Sequence, residues 1–343
     1  MTHHSTLAVD SLILTRNDVL FDVRGSYHAA VARAVQVYLE QAVGLPMGSR
    51  PLLTPEEAGH LYYFGGFSRY IDALSTLVIY FLEKLPPVPT PTYPVRFHIP
   101  AMLAYLQLAG QSVRIGVDTL GEQKDIPRLA ADIAAAGGGL TGMEAVLPRS
   151  NRHLLVDEGS ITRINVLGRV FQELYLGTRL FSRVYGEPAM LVAEEGYIHR
   201  ESLRMDPDIL NRLAERLPLA LIALESRRKE IEDTLERHGI RHCFQVLITE
   251  EEVEANGMFQ AGDPWPLLEA ARRLQPAPSQ VGVVAATPDD IRAARSANKT
   301  IPFISIAAAP PGIDKPAWQA RLEQTKANMV IGHPDHLKEL ILG

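Results

Sequence analysis

Oxygen-bearing side chains with spacing suited to chemistry fall in two short clusters of this chain. The first, Thr15-Arg16-Asn17-Asp18-Val19-Leu20-Phe21-Asp22, directly follows the apolar stretch Leu12-Ile13-Leu14. The second is Asp289-Asp290, directly behind Pro288. Carboxylates can carry protons or hold a hard cation, but a threonine hydroxyl without a neighbouring base is a poor nucleophile and an asparagine amide does not shuttle protons. Asp289 also stands where an acidic side chain stabilises the N–H groups of a helix start. Other candidates are weaker. His238 and His242 are separated by Gly239, where a helix should end, so they do not share a helix face, and His3 and His4 lie in a terminal tail. Gly137–Gly139 follow an alanine-rich helix pattern, and with no preceding strand or following Lys-Ser/Thr they read as a helix C-cap rather than a phosphate cradle.

The elements that must position these residues change character along the chain. A strand is predicted over Ser11–Thr15, then a helix from Ser26 to about Ala42. From Thr54 to about Arg204 nearly everything reads as helical, including Ala73–Leu82, Ile99–Leu108, Ile126–Ala136 and an amphipathic stretch Ile161–Phe181. Five prolines between Leu85 and Pro94 predict a stiff extended connection. Beyond Met205 the rhythm becomes strand–helix alternation, with strands at Leu219–Leu224, Cys243–Ile248, Gln280–Ala285, Pro302–Ala307 and Met329–Ile331. Continuous apolar strands between amphipathic helices predict a parallel sheet covered on both faces, with any site at its carboxyl edge.

Composition narrows the function classes. The 343 residues, 46% hydrophobic and 22% charged, suit two globular domains. A net charge of −6 without a basic run argues against a nucleic-acid surface. The longest greasy run, Leu77–Leu82, is far short of the roughly 20 residues that span a bilayer. One cysteine, Cys243, can form neither an internal disulfide nor a CxxC motif, and the N-terminus has no export pattern, so a reducing, cytoplasmic setting is expected.

This layout and four of its segments resemble the haloacid dehalogenase superfamily, with a cap inserted after the first motif. The family's first motif, Asp-x-Asp-Gly-(Val/Thr), matches Thr15-Arg16-Asn17-Asp18-Val19, which puts Thr15 at the nucleophile position and Asn17 at the acid/base position. Its second motif ends a strand in Thr or Ser; Ala223 stands there, with Ser226 nearby. The third supplies a lysine before a Pro-rich turn, where Ala261 stands in Phe259-Gln-Ala-Gly-Asp-Pro-Trp-Pro266. The fourth, Gly-Asp-x-x-x-Asp, is echoed by Ala285-Ala-Thr-Pro-Asp-Asp290, with Ala286 in place of the first acid. Tyr62-Tyr-Phe-Gly-Gly-Phe-Ser-Arg-Tyr-Ile-Asp72 is similar to a cap segment of a phosphatase-like subgroup, with Tyr62 replacing its lysine.

The resemblance implies an α/β fold: a doubly wound, Rossmann-like parallel sheet over 1–24 and 205–343, with a large helical cap over 25–204. It also implies that the catalytic motifs are degenerate, and that the protein binds a small phosphorylated metabolite or a protein partner through the cleft between cap and core. Asp18, Asp22, Ser226, Gly65, Gly66 and Arg69 are then the ligand-binding candidates. Gly65-Gly66 and Arg69 read more readily as a turn and a solvated helix residue than as a lid over the site. The alternative is a working phosphatase with a rebuilt site, in which Asp18 joins Asp289 or Asp290 around magnesium; no cofactor is expected otherwise. A structural role, first signalled by a symmetric dimer, is a third reading.

Overall fold

The computed structural model describes residues 7–91, 98–257, 262–313 and 315–343. His3, His4, Pro94 and Ala261 lie outside them. The chain divides into two compact units, one formed by 1–23 with 201–343 and the other by 24–200.

The first unit is built on a six-stranded parallel sheet. Its strands are β1 (Ser11–Thr15), β4 (Leu219–Ala223), β5 (Val246–Thr249), β6 (Val281–Ala285), β7 (Phe303–Ala308) and β8 (Met329–Ile331), in the order β5-β4-β1-β6-β7-β8. The apolar run predicted as the first strand therefore lies inside the sheet, pairing Leu12 with Leu219 on one side and Gly282 on the other. Leu12, Ile13 and Leu14 are fully buried, as expected of a strand covered on both faces. A Cβ at Gly282 would come within 2.8 Å of Leu12 Cδ1, so the buried Leu12 side chain occupies the space that glycine leaves there. The strand order reverses at β1, with β4 and β5 to one side and β6, β7 and β8 to the other. At such a switch point the carboxyl ends of the strands splay and leave room for a ligand.

Two-residue strands β2 (Phe21–Asp22) and β3 (Ser202–Leu203) pair antiparallel and tie the chain before residue 24 to the chain after residue 200. Sequence patterning missed them because two residues cannot display a period of two. It also missed the helices Pro207–Arg216 and Glu250–Asn256. The first carries readable start signals, Asp206 as N-cap followed by Pro207. The strand expected over Cys243–Ile248 begins only at Val246, because Arg241–Cys243 form a short helical turn.

The second unit is helical. Its main helices are Ala29–Val37, continued on both sides by wider turns, with Pro55–Gly65, Tyr70–Leu82, Ile99–Gly110, Ile126–Ala135, Gly139–Val146 and Val166–Tyr185. Its centre is aromatic: Tyr62 stacks on Tyr70 with ring centroids 4.0 Å apart, and Tyr27 lies 4.3 Å from Tyr175. The helix expected over Ile161–Phe181 instead starts at Val166. Asn165 fixes that start, accepting the Gly168 N–H at 2.6 Å and donating to the Asp157 carbonyl. Residues 186–196, expected to be helical, are irregular. The buried Glu173 carboxylate takes the N–H groups of Met190, Leu191 and Val192, satisfying backbone that a helix would otherwise have satisfied. Among the described residues no helix is long and apolar enough to cross a membrane.

Candidate functional site

The carboxyl edge around β1 is assembled from four chain segments of the first unit. Thr15 is the last residue of β1 and is buried, and its Oγ1 has no hydrogen-bond partner among the described residues. The chain then turns sharply: the Leu20 and Phe21 N–H groups both reach the Arg16 carbonyl, and Asp18 adopts a left-handed φ of 58°. Asparagine and aspartate tolerate that conformation better than most residues because their short polar side chains bond locally. Arg204 holds the turn from outside, its guanidinium donating to the Asp18 and Ala309 carbonyls.

Arg16 is buried at the centre of a charged cluster. Its Nη2 donates to both oxygens of Glu201 at 2.8 Å, and Nη1 donates to Asn17 Oδ1 at 2.8 Å. The same Nη2 lies 4.0 Å from Glu230 Oε1, and the guanidinium sits over the Phe21 ring. Glu230 comes from the first turn of the helix Arg228–Arg237, accepting the Arg227 N–H through Oε2 and the Ser226 hydroxyl. Burial pushes its carboxyl up to about 7, against the opposing pull of Arg16. Ser226, buried behind β4, thus spends its hydroxyl on Glu230. Ala223 ends β4 opposite Thr249, and Asp22 lies in β2 opposite Ser202.

Behind β6, Ala286 is buried and Thr287 begins the helix Pro288–Ala297. Thr287, not Asp289, is the N-cap: its Oγ1 accepts the Asp290 N–H at 3.2 Å and donates to Asp290 Oδ2 at 2.6 Å. Asp290 is only partly covered by surface area, yet densely surrounded by protein, and burial raises its carboxyl to about 6. Asp289 pairs instead with Arg292 on the exposed side. The remaining sequence candidates lie in the other unit. Gly66, with φ of 79°, ends the helix Pro55–Gly65, and Arg69 precedes the helix Tyr70–Leu82.

Residues 205–304 match the family model described as haloacid dehalogenase-like hydrolase. The core is haloacid-dehalogenase-like. An X-ray structure from a structural genomics consortium shares this fold, with a TM-score of 0.60 at 16% identity, over 96% of this chain and 98% of that one. A phosphatase from Thermococcus thioreducens has a TM-score of 0.46 at 16% identity, over 91% and 98% of the two chains. A subfamily IA hydrolase of the same superfamily from Geobacter sulfurreducens has a TM-score of 0.41 at 13% identity, over 99% and 100%. No curated relative matches the chain. The fold assignment rests on the matched segment and the first of these structures.

At the carboxyl ends of β1 and β6 the described side chains do not fit a magnesium ion: Thr15 brings a hydroxyl, Ala286 brings no donor, and Asp290 is engaged by Thr287. No group of three or more His, Cys, Asp or Glu side chains among the described residues is placed to hold a metal. Sequence reasoning overlooked Arg16, Glu201, Glu230 and Arg204. The signal for Arg16 was a charge placed directly after a strand buried on both faces. Glu201 had none, lying 185 residues from its partner.

Proposed function

We propose that this protein has lost phosphohydrolase activity and uses the carboxyl edge of its core sheet to bind a small phosphorylated ligand or a protein partner. The observation that carries the reading is Thr15. It stands at the end of the switch-point strand, where the family alignment requires the attacking carboxylate, and its buried hydroxyl has no hydrogen-bond partner among the described residues. A hydroxyl without a base does not attack phosphorus at neutral pH, but it can hold a ligand oxygen. Asn17, at the proton-shuttle position, is held by Arg16.

A second reading, a phosphatase with a rebuilt site, draws on Asp290, whose carboxyl is raised to about 6 and so stands near the range useful for proton transfer. The discriminating experiment is hydrolysis of a broad phosphate-ester panel by the purified full chain with magnesium, alongside Asp18→Ala and the double variant Asp289→Ala/Asp290→Ala. The expected result is no turnover above buffer, with thermal-shift stabilisation by one class of phosphorylated compound or capture of one partner. Turnover that disappears in those variants would overturn the binding reading.

A further inference from the structure

Arg16, Glu201 and Glu230 bring one guanidinium against two buried carboxyls drawn from three distant parts of the first unit. The hydrogen-bond geometry is unequal. Arg16 Nη2 donates to Glu201, lying 2.8 Å from each carboxylate oxygen. Glu230 stands 4.0 Å from the same nitrogen, too far for a hydrogen bond, and its Oε1 accepts none among the described residues. The Arg227 N–H and the Ser226 hydroxyl leave Oε1 without a donor among the described residues, and a buried carboxylate short of donors is costly in a way that protonation relieves. Glu201 is clamped to the cation, whereas Glu230 is the natural holder of a proton.

The position of Glu201 gives this inequality a consequence. It directly precedes β3, whose two residues pair with β2, and the next residue, Arg204, holds the Asp18 carbonyl. Its own N–H reaches the Leu20 carbonyl at 2.9 Å. Arg16 therefore secures the returning segment Glu201–Arg204 to the loop after β1, and through Asn17 it also fixes that loop.

We propose that Arg16, Glu201 and Glu230 form a proton-operated clasp. With a proton on Glu230, the guanidinium stays on Glu201 and the segment Glu201–Arg204 is locked to the loop after β1. When that proton leaves, Glu230 competes for the same N–H groups and the lock loosens. The clasp is independent of whether the carboxyl edge binds or hydrolyses its ligand. Among the described residues, the charged groups acting on Glu230 are Arg16 and Glu201, joined by the Ser226 hydroxyl and the Arg227 N–H. His238, just past the end of the same helix, lies 5.2 Å from the Phe21 ring; burial and the neighbouring Arg237 depress its proton affinity, against the pull of Glu201.

Two measurements on the full chain test the clasp. Carboxyl-carbon NMR follows the Glu230 titration, and hydrogen exchange, corrected for intrinsic rates, follows the amides of Ser202–Arg204 from about pH 6 to about pH 8.5. The expected result is a single titration near neutrality accompanied by an approximately tenfold loss of protection, which is the shift produced when the loosened state binds the proton about one pH unit more weakly. Glu230→Gln, a neutral isostere, should abolish the pH dependence and keep the protected state throughout. Glu201→Gln should release the Arg16 N–H groups to Glu230 and lower its titration midpoint by about one unit or more. A Glu230 titration in the ordinary carboxylate range, flat protection in the native chain, or pH-dependent protection retained in Glu230→Gln would each overturn the proposal. If Glu201→Gln fails to fold, the comparison between the native chain and Glu230→Gln decides by itself.

Discussion

The side chains that govern the candidate edge are those whose charge is hardest to bury. Glu230 has its carboxyl raised from 4.5 to about 7, so the folded state binds its proton more tightly than the unfolded chain does. A raised acid contributes stability that is fully present below the unfolded value and is lost as pH rises through the folded one. Between about pH 4.5 and pH 7.5 the native chain should therefore lose stability relative to Glu230→Gln, by about 3 kcal/mol in total. Urea unfolding of both proteins across that range checks this, and a constant difference would count against a buried proton on Glu230. Taking the difference matters because Asp290, also raised by burial, adds a slope of the same sign to both proteins. At this scale the resemblance names Thr15, Asn17, Ala223 and Ala286 directly from local strings of sequence. It could not show that Ser226, a candidate ligand group, is occupied by Glu230, because that contact depends on how a helix start folds over the end of β4.

Elements in this chain begin and end where side chains and glycines replace missing backbone bonds. The helix Val166–Tyr185 is interrupted at Gly177, where φ is 71° and ψ is 166°, because the Gly196 backbone passes there. A Cβ at Gly177 would lie 2.4 Å from the Gly196 nitrogen, whereas one at Gly186, with a similar φ of 73°, would meet nothing within 4 Å. Gly177→Ala should thus lose well over about 2 kcal/mol, from conformational strain and collision together. Gly186→Ala should lose only about 1 kcal/mol, the cost of a left-handed cap without glycine. Denaturant midpoints of the two variants test the contrast, and equal losses would mean that the passing Gly196 strand can give way. Sequence periodicity placed this helix five residues early at its start, since Ile161 and Ile164 fit its apolar stripe. The Asn165 cap ended that extrapolation, and nothing in a three-and-four pattern marks where a capping side chain wins over one more turn.

For the molecule as a whole, the governing fact is that β1 lies inside the sheet of a unit whose other parallel strands begin only at Leu219. Removing it exposes facing edges of β4 and β6 and deletes a fully buried apolar strand. A fragment comprising 205–343 alone should lack a cooperative thermal transition by circular dichroism, and a sharp transition would show that the later strands close the sheet without it. By itself the sequence determined the α/β class and the run of parallel strands after Met205, because burial on both faces leaves continuous apolar strands. Only the tertiary structure decided that the residue following Thr15 would hold Glu201 beside Glu230, that Thr287 rather than Asp289 would cap its helix, and that Gly177 would break one. Each of those outcomes depends on which distant group arrives within hydrogen-bond or contact distance, and no periodicity along the chain encodes that distance.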